Sequence, residues 1–162
     1  MRRSPWHNVG WVAHRSQVQD VLPETFKRLV GLNSHVEREA AAHGVELGLL
    51  ELVKVRASQI NGCAYCTDMH TTDALAHGVP QRVLTVVAVW AETELFSEQE
   101  RAALELTEAM SRLSQTQHVP DEVYDRARKA FTEEQLAVVV WAASLIQTFN
   151  ALNVTVHRPL RD

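Results

Sequence analysis

The sequence predicts an all-α domain of six or seven helices. Three observations lead there: apolar residues recur at helical spacing, helix-opening caps and Gly or Pro stops divide the chain at regular intervals, and no two period-2 segments exist to pair as strands. With 162 residues, 46% of them hydrophobic, and only six Gly and five Pro, the chain reads as one core without an internal linker.

The elements follow in order. Phe26, Val30, Leu32 and Val36 fall near helical spacing over Pro23 to His43, and Gly44 supplies the stop. LGLLELVKVRAS, Leu47 to Ser58, is the next helix, and Asn61-Gly62 breaks it. CAYCTDMHTTDALAHG opens at Cys63 and ends at Gly78, with Pro80 just beyond. Pro80 to Thr93 contains VLTVVAVW, which is read as a buried helix rather than a strand. Ser97 with Glu100 forms a capping-box pair that opens a helix to about Leu113. Pro120-Asp121 opens a shorter one to Ala130, and Thr132 with Gln135 repeats the box before LAVVVWAASLIQTFNALNVTV. Val138, Val139 and Val140 are β-branched, but they have no partner strand.

Two of these helices, 80–93 and the last, are apolar on nearly every face. Such helices must be covered on all sides, at the centre of the domain or between subunits, so an oligomer is expected. Residues 1–21 are read as an N-terminal arm and 22–162 as the helical domain. The arm has no apolar run long enough for a signal peptide, and no segment reaches the roughly 18 apolar residues that span a bilayer. The formal charge of -4 without long like-charged runs argues against nucleic acid and membrane as partners. A cytoplasmic protein is the expectation.

Cysteine usage points to the chemistry. The only two cysteines, Cys63 and Cys66, stand three apart, with His70 four residues further on and Glu51 upstream. At ~100° per residue the three side chains fall within about 60° of one another on one helix face. The pair also lies in a first turn, where unpaired N–H groups stabilise thiolate. Two such thiols can close a disulfide after one is oxidised to sulfenic acid. By position alone Cys63, closer to the helix start, is the more acidic thiol. A buried Glu51 would have its carboxyl raised towards neutrality, as a proton-exchanging group requires.

Other readings of the residues stay open at this point. A thioredoxin-like oxidoreductase uses the same C-x-x-C, but in a mixed fold. A zinc site could recruit Cys63, Cys66, His70 and Glu51. The cysteines could also be two incidental core residues. Among the remaining polar residues, His35 and His43 are expected on the surface and His77 as a cap on a helix end. Asn150 and Asn153 are expected to face solvent, the other option being donation to Glu51. Trp90 and Trp141 read as core or interface anchors.

The stretch LLELVKVRASQINGCAYCTDMHTTDALAHG resembles the alkylhydroperoxidase AhpD-like and carboxymuconolactone decarboxylase superfamily. Its peroxidase branch has Glu twelve residues before Cys-x-x-Cys and His four residues after it, the spacing of Glu51, Cys63, Cys66 and His70. FSEQERAALELTEAM and the sequence from Val119 to Asn153 are also similar to small members. The resemblance implies an AhpD-like helical bundle assembled as a homotrimer or homohexamer, and a cofactor-free, metal-free thiol peroxidase acting on hydroperoxides. It implies that Cys66 becomes the sulfenic acid, that Cys63 resolves it, and that Glu51 and His70 relay protons. A reducing partner protein or a low-molecular-weight dithiol would regenerate the pair. Two features qualify the transfer. Tyr65 stands where the best-known peroxidases have His, and a phenol with pKa ~10 can orient a substrate but cannot act as a base near neutrality. The decarboxylase branch generally lacks the cysteines. A redox sensor or a metal-binding oligomer without turnover is the alternative from another class.

Overall fold

A computed structural model describes residues 15–160, and residues 1–14 of the expected N-terminal arm lie outside the described residues. Six of the expected helices form as α2 (Pro23–Ala42), α3 (Leu47–Ile60), α4 (Ala64–Ala76), α6 (Glu98–Ser111), α8 (Asp121–Ala130) and α9 (Glu133–Val156), and the run 80–93 forms one in part, as α5 (Gln81–Val86). Two four-residue helices, α1 (Val18–Val21) and α7 (Leu113–Thr116), bring the described total to nine, more than the six or seven expected. A single turn is too short to show a period, so neither could be read from apolar spacing. The described part of the arm docks on the end of α9, with Arg15 donating to the Thr155 carbonyl at 2.7 Å and Gln17 to that of Val156 at 3.1 Å.

Both capping boxes form as expected. Ser97 Oγ accepts from the Glu100 N–H at the start of α6, and Thr132 Oγ1 accepts from that of Gln135 at the start of α9. The run 80–93 departs from expectation. It is not one buried helix, because α5 gives way to a 3-10 segment, Val87–Glu92, broken at Val89 (φ -125°, ψ 31°). Only Leu84 and Val87 within it are buried, while Val89 is 57% exposed. The β-branched cluster that raises hydropathy there also disfavours helix, and the segment lies on α3 and α6 at the rim rather than at the centre.

The centre belongs to α3 and α9. Helix α3 packs on α4, α6 and α9, and α9 also meets α2, α4, α6 and α8. By length and composition α9 could cross a membrane, but its buried residues, Leu136 to Val156, pack into this core and include Asn150 and Asn153. A first core cluster joins α2, α3, α6, α8 and α9 through residues such as Val53, Leu106, Val139 and Ala143. A second, around Leu52, Leu84 and Leu104, underlies α5. The third is the one that bears on function: Ala57, Cys63, Tyr65, Cys66 and Ile146.

Candidate functional site

The dithiol is positioned by a turn that can be followed bond by bond. Helix α3 ends at Gly62 with φ 69°, a left-handed conformation that glycine adopts without a Cβ penalty. The Gly62 N–H bonds back to Gln59 O (3.4 Å) and the Cys63 N–H to Ser58 O (2.9 Å), the paired bonds of a Schellman stop. Cys63 is then at once the residue after that stop and the N-cap of α4, where its Sγ accepts the Cys66 N–H at 3.3 Å. Cys66, one turn into α4, is fully buried. Both thiols are free.

Cys66 meets more donors than Cys63. From α9, Asn153 Nδ2 donates to Cys66 Sγ at 3.2 Å. Neighbouring Asn150 donates to Ser58 Oγ (2.9 Å) and accepts from Asn61 (3.0 Å), which fixes its amide beside the pair. The hydrogen bond from Cys63 pulls the Cys66 thiol down to about 6; the amides of Asn153 and Asn150 and the nearby His70 help, against burial. The same shared bond, reinforced by burial, pushes Cys63 well above the ordinary thiol range. One proton is held between two sulfurs, with the charge on Cys66. This reverses the order expected from position in the helix: the hydrogen bond from Cys63 favours charge on Cys66, and Asn153 from α9 adds a donor to that sulfur.

Glu51 and His70 are brought together. His70 Nδ1 lies 2.7 Å from Glu51 Oε2, and Lys54 Nζ donates to Glu51 Oε1 at 2.7 Å and to Glu37 Oε1 at 2.8 Å. Glu51, Lys54 and His70 are all buried, whereas Glu37 reaches the half-exposed edge. Burial does push the Glu51 carboxyl up, but His70 and Lys54 together outweigh it, and the net direction is down. The expectation of a carboxyl raised towards neutrality is therefore corrected: Glu51 is a fixed anion. An ionised carboxylate only accepts hydrogen bonds, so Nδ1 is the protonated ring nitrogen of His70 and Nε2 is left for the cavity side.

Lys54, Asn150 and Asn153 also reach the candidate site, where the sequence did not place them. The asparagines do not face solvent and do not reach Glu51; both are buried, in contact with the dithiol turn. Their spacing of three on one face of an otherwise apolar helix was the available signal. His35 and His43 are exposed, as expected, and His77 stands at the C-cap of α4. Trp90 is half-buried and donates to Glu108 at 2.9 Å, while Trp141 is 52% exposed.

Two openings flank the pair. Cys66 and His70 line a cavity of about 230 Å³, walled by Phe26, Val30, Met69 and Phe149. Cys63 instead lines a shallow depression with Gln59, Gly62 and Thr67. Among the described residues, the donor group compatible with a metal is Glu51, His70 and Asp73, all within 4.8 Å. The thiols do not join it, so the four-ligand zinc set is not formed. Within the group, Glu51 already balances Lys54 at 2.7 Å, a cation that would repel another.

Fold and site together define a class: a helical domain with a buried C-x-x-C pair, Cys66 the more acidic thiol, set against a hydrogen-bonded Glu–His pair. Residues 23–109 match the model of the carboxymuconolactone decarboxylase family, and the chain belongs to that family. It is 32% identical over 143 residues to YdfG of Bacillus subtilis, an uncharacterised protein, spanning 88% of this chain and 94% of that one. A crystal structure from Agrobacterium tumefaciens superposes with a TM-score of 0.83 at 30% identity, covering 91% of this chain and 98% of that one. That protein is of unknown function, provisionally assigned to AhpD-type antioxidant defence. The debrominase Bmp8 shares the fold, with a TM-score of 0.77 at 19% identity over 88% of this chain and 74% of its own.

Proposed function

We propose that the protein is a cofactor-free thiol peroxidase that reduces organic hydroperoxides at Cys66. The observation that carries the reading is the Cys66 sulfur, hydrogen-bonded by Asn153 and held at the wall of an apolar cavity beside His70, where its thiol is drawn down to about 6. At a thiol pKa of about 6 most Cys66 is thiolate at pH 7, so attack needs no prior deprotonation.

The Cys66 thiolate attacks the distal peroxide oxygen and the O–O bond breaks. A proton from solvent, relayed through His70 Nε2, leaves with the alcohol, and Cys66 becomes a sulfenic acid, oxidised by two electrons. Glu51 accepts the hydrogen bond from Nδ1 and keeps the imidazole oriented. Cys63 then attacks the Cys66 sulfur; its thiol proton and the sulfenic hydroxyl leave as water, and a Cys63–Cys66 disulfide remains. A dithiol reductant, either a protein or a small molecule, restores both thiols with two electrons and two protons and is itself oxidised to a disulfide. Its thiolate is best directed at Cys63 from the shallow depression, because Cys66, the more acidic thiol, is the better leaving group. Tyr65, buried between the cysteines, contributes a wall of the cavity rather than a base.

This chemistry suits a reducing cytoplasm and a homotrimer or homohexamer, in which exposed apolar groups such as Val89 and Trp141 would be covered. The test is steady-state consumption of cumene hydroperoxide with dithiothreitol, run beside Cys63→Ser and Cys66→Ser. Sustained turnover is expected in the native protein, a single equivalent consumed by Cys63→Ser, and none by Cys66→Ser. One equivalent from the native protein would instead mark a redox sensor.

A further inference from the structure

The cavity at Cys66 is apolar along most of its wall, yet one cation at its edge is uncommitted. Lys54 is neutralised by Glu51 and Glu37. Arg158 is not: its guanidinium lies 4.4 Å over the Tyr65 ring and 6.0 Å from that of Phe26, and among the described residues no carboxylate lies within ion-pair distance. Both rings belong to the cavity wall. The backbone directs this arginine. Helix α9 ends at His157 in a left-handed conformation (φ 51°), and the Arg158 N–H turns back to bond Asn153 O at 3.0 Å. Asn153 is the residue whose side chain donates to Cys66 Sγ. One residue of α9 therefore ties the cation to the reacting sulfur.

We infer that Arg158 anchors a carboxylate, and that the preferred substrates are amphipathic hydroperoxides with an acid group at one end and an apolar body in the Phe26–Val30–Met69–Phe149 cavity. The 230 Å³ enclosed equals the liquid volume of about eight waters, enough for a substituted benzene ring or a short alkyl chain. A planar guanidinium stacked on an aromatic ring keeps its edge N–H groups free for bidentate binding of a carboxylate. The substrate class rests on the peroxidase reading; the carboxylate site itself does not.

Two measurements separate them. Calorimetry compares binding of 4-isopropylbenzoate and 4-isopropylbenzamide, unreactive mimics of one shape, to the native protein, Arg158→Gln and Arg158→Lys. The benzoate is expected to bind the native protein about tenfold more tightly, the worth of one charge-assisted pair at a half-buried site. Arg158→Gln should abolish that ratio and Arg158→Lys should retain part of it. Turnover of cumene hydroperoxide is then compared with that of its para-carboxylate, with the preference expected in KM rather than kcat. Equal binding of the two mimics, or a ratio that survives in Arg158→Gln, would overturn the carboxylate site. A benzoate preference without turnover of either peroxide would keep the site, remove the peroxidase reading, and with it the substrate assignment.

Discussion

Replacing Asn153 by Leu keeps the branched outline and the number of heavy atoms of the side chain and removes the donor 3.2 Å from Cys66 Sγ. Hydrogen bonds to charged groups contribute about 1.5–3 kcal/mol, and a long bond to sulfur belongs near the lower end. At 1.36 kcal/mol for each tenfold change in acidity, the Cys66 thiol should rise from about 6 to about 7. The consequence for reactivity changes sign with pH. At pH 5.5 the thiolate fraction would fall roughly eightfold, while the more basic sulfur gains about threefold in nucleophilicity, a net loss of about threefold. At pH 8 both proteins are mostly ionised, so the variant should react about two- to threefold faster. Alkylation by iodoacetamide from pH 5 to 9, with the modified cysteine identified by peptide mass spectrometry, reads both limbs. Two curves that never cross, or labelling that begins on Cys63, would refute the assignment of the charge to Cys66.

Three further outcomes follow from the ionic groups and the caps. Because the Glu51 carboxyl is held below its ordinary 4.5, its contribution to stability is fully present above that pH and is lost as pH falls through the folded value. Urea midpoints of the native protein should therefore drop below about pH 4.5 more steeply than those of Glu51→Gln; parallel curves would show that the buried pair is not linked to folding. Glu51→Gln should keep the fold, since Lys54 retains Glu37 at 2.8 Å, but should slow peroxide turnover. Ser97→Ala removes the oxygen that accepts the Glu100 N–H and should cost about 1 kcal/mol, measurable as a lower thermal midpoint with activity unchanged.

Much of this molecule was determined by the sequence through short-range rules. The boxes at Ser97–Glu100 and Thr132–Gln135 start helices because each pair satisfies backbone donors only three residues away. Gly62 places Cys63 between two helices through bonds that span at most five residues. Cys63, Cys66 and His70 converge because one short helix carries them. The VLTVVAVW run shows where such rules stop, since hydropathy did not say whether the run sat at the centre or at the rim.

Charge is where tertiary structure decided. Cys66 becomes the more acidic sulfur through the hydrogen bond from Cys63 and a further donor from Asn153, 87 residues away, and Glu51 stays ionised because His70, 19 residues away, and Lys54 close on it in the interior. Arg158 comes to the cavity only because the end of α9 packs against α4. Periodicity tells which side chains share a face. Ionisation in a buried site is set by every donor and charge within a few ångströms, and most of those arrive from distant parts of the chain.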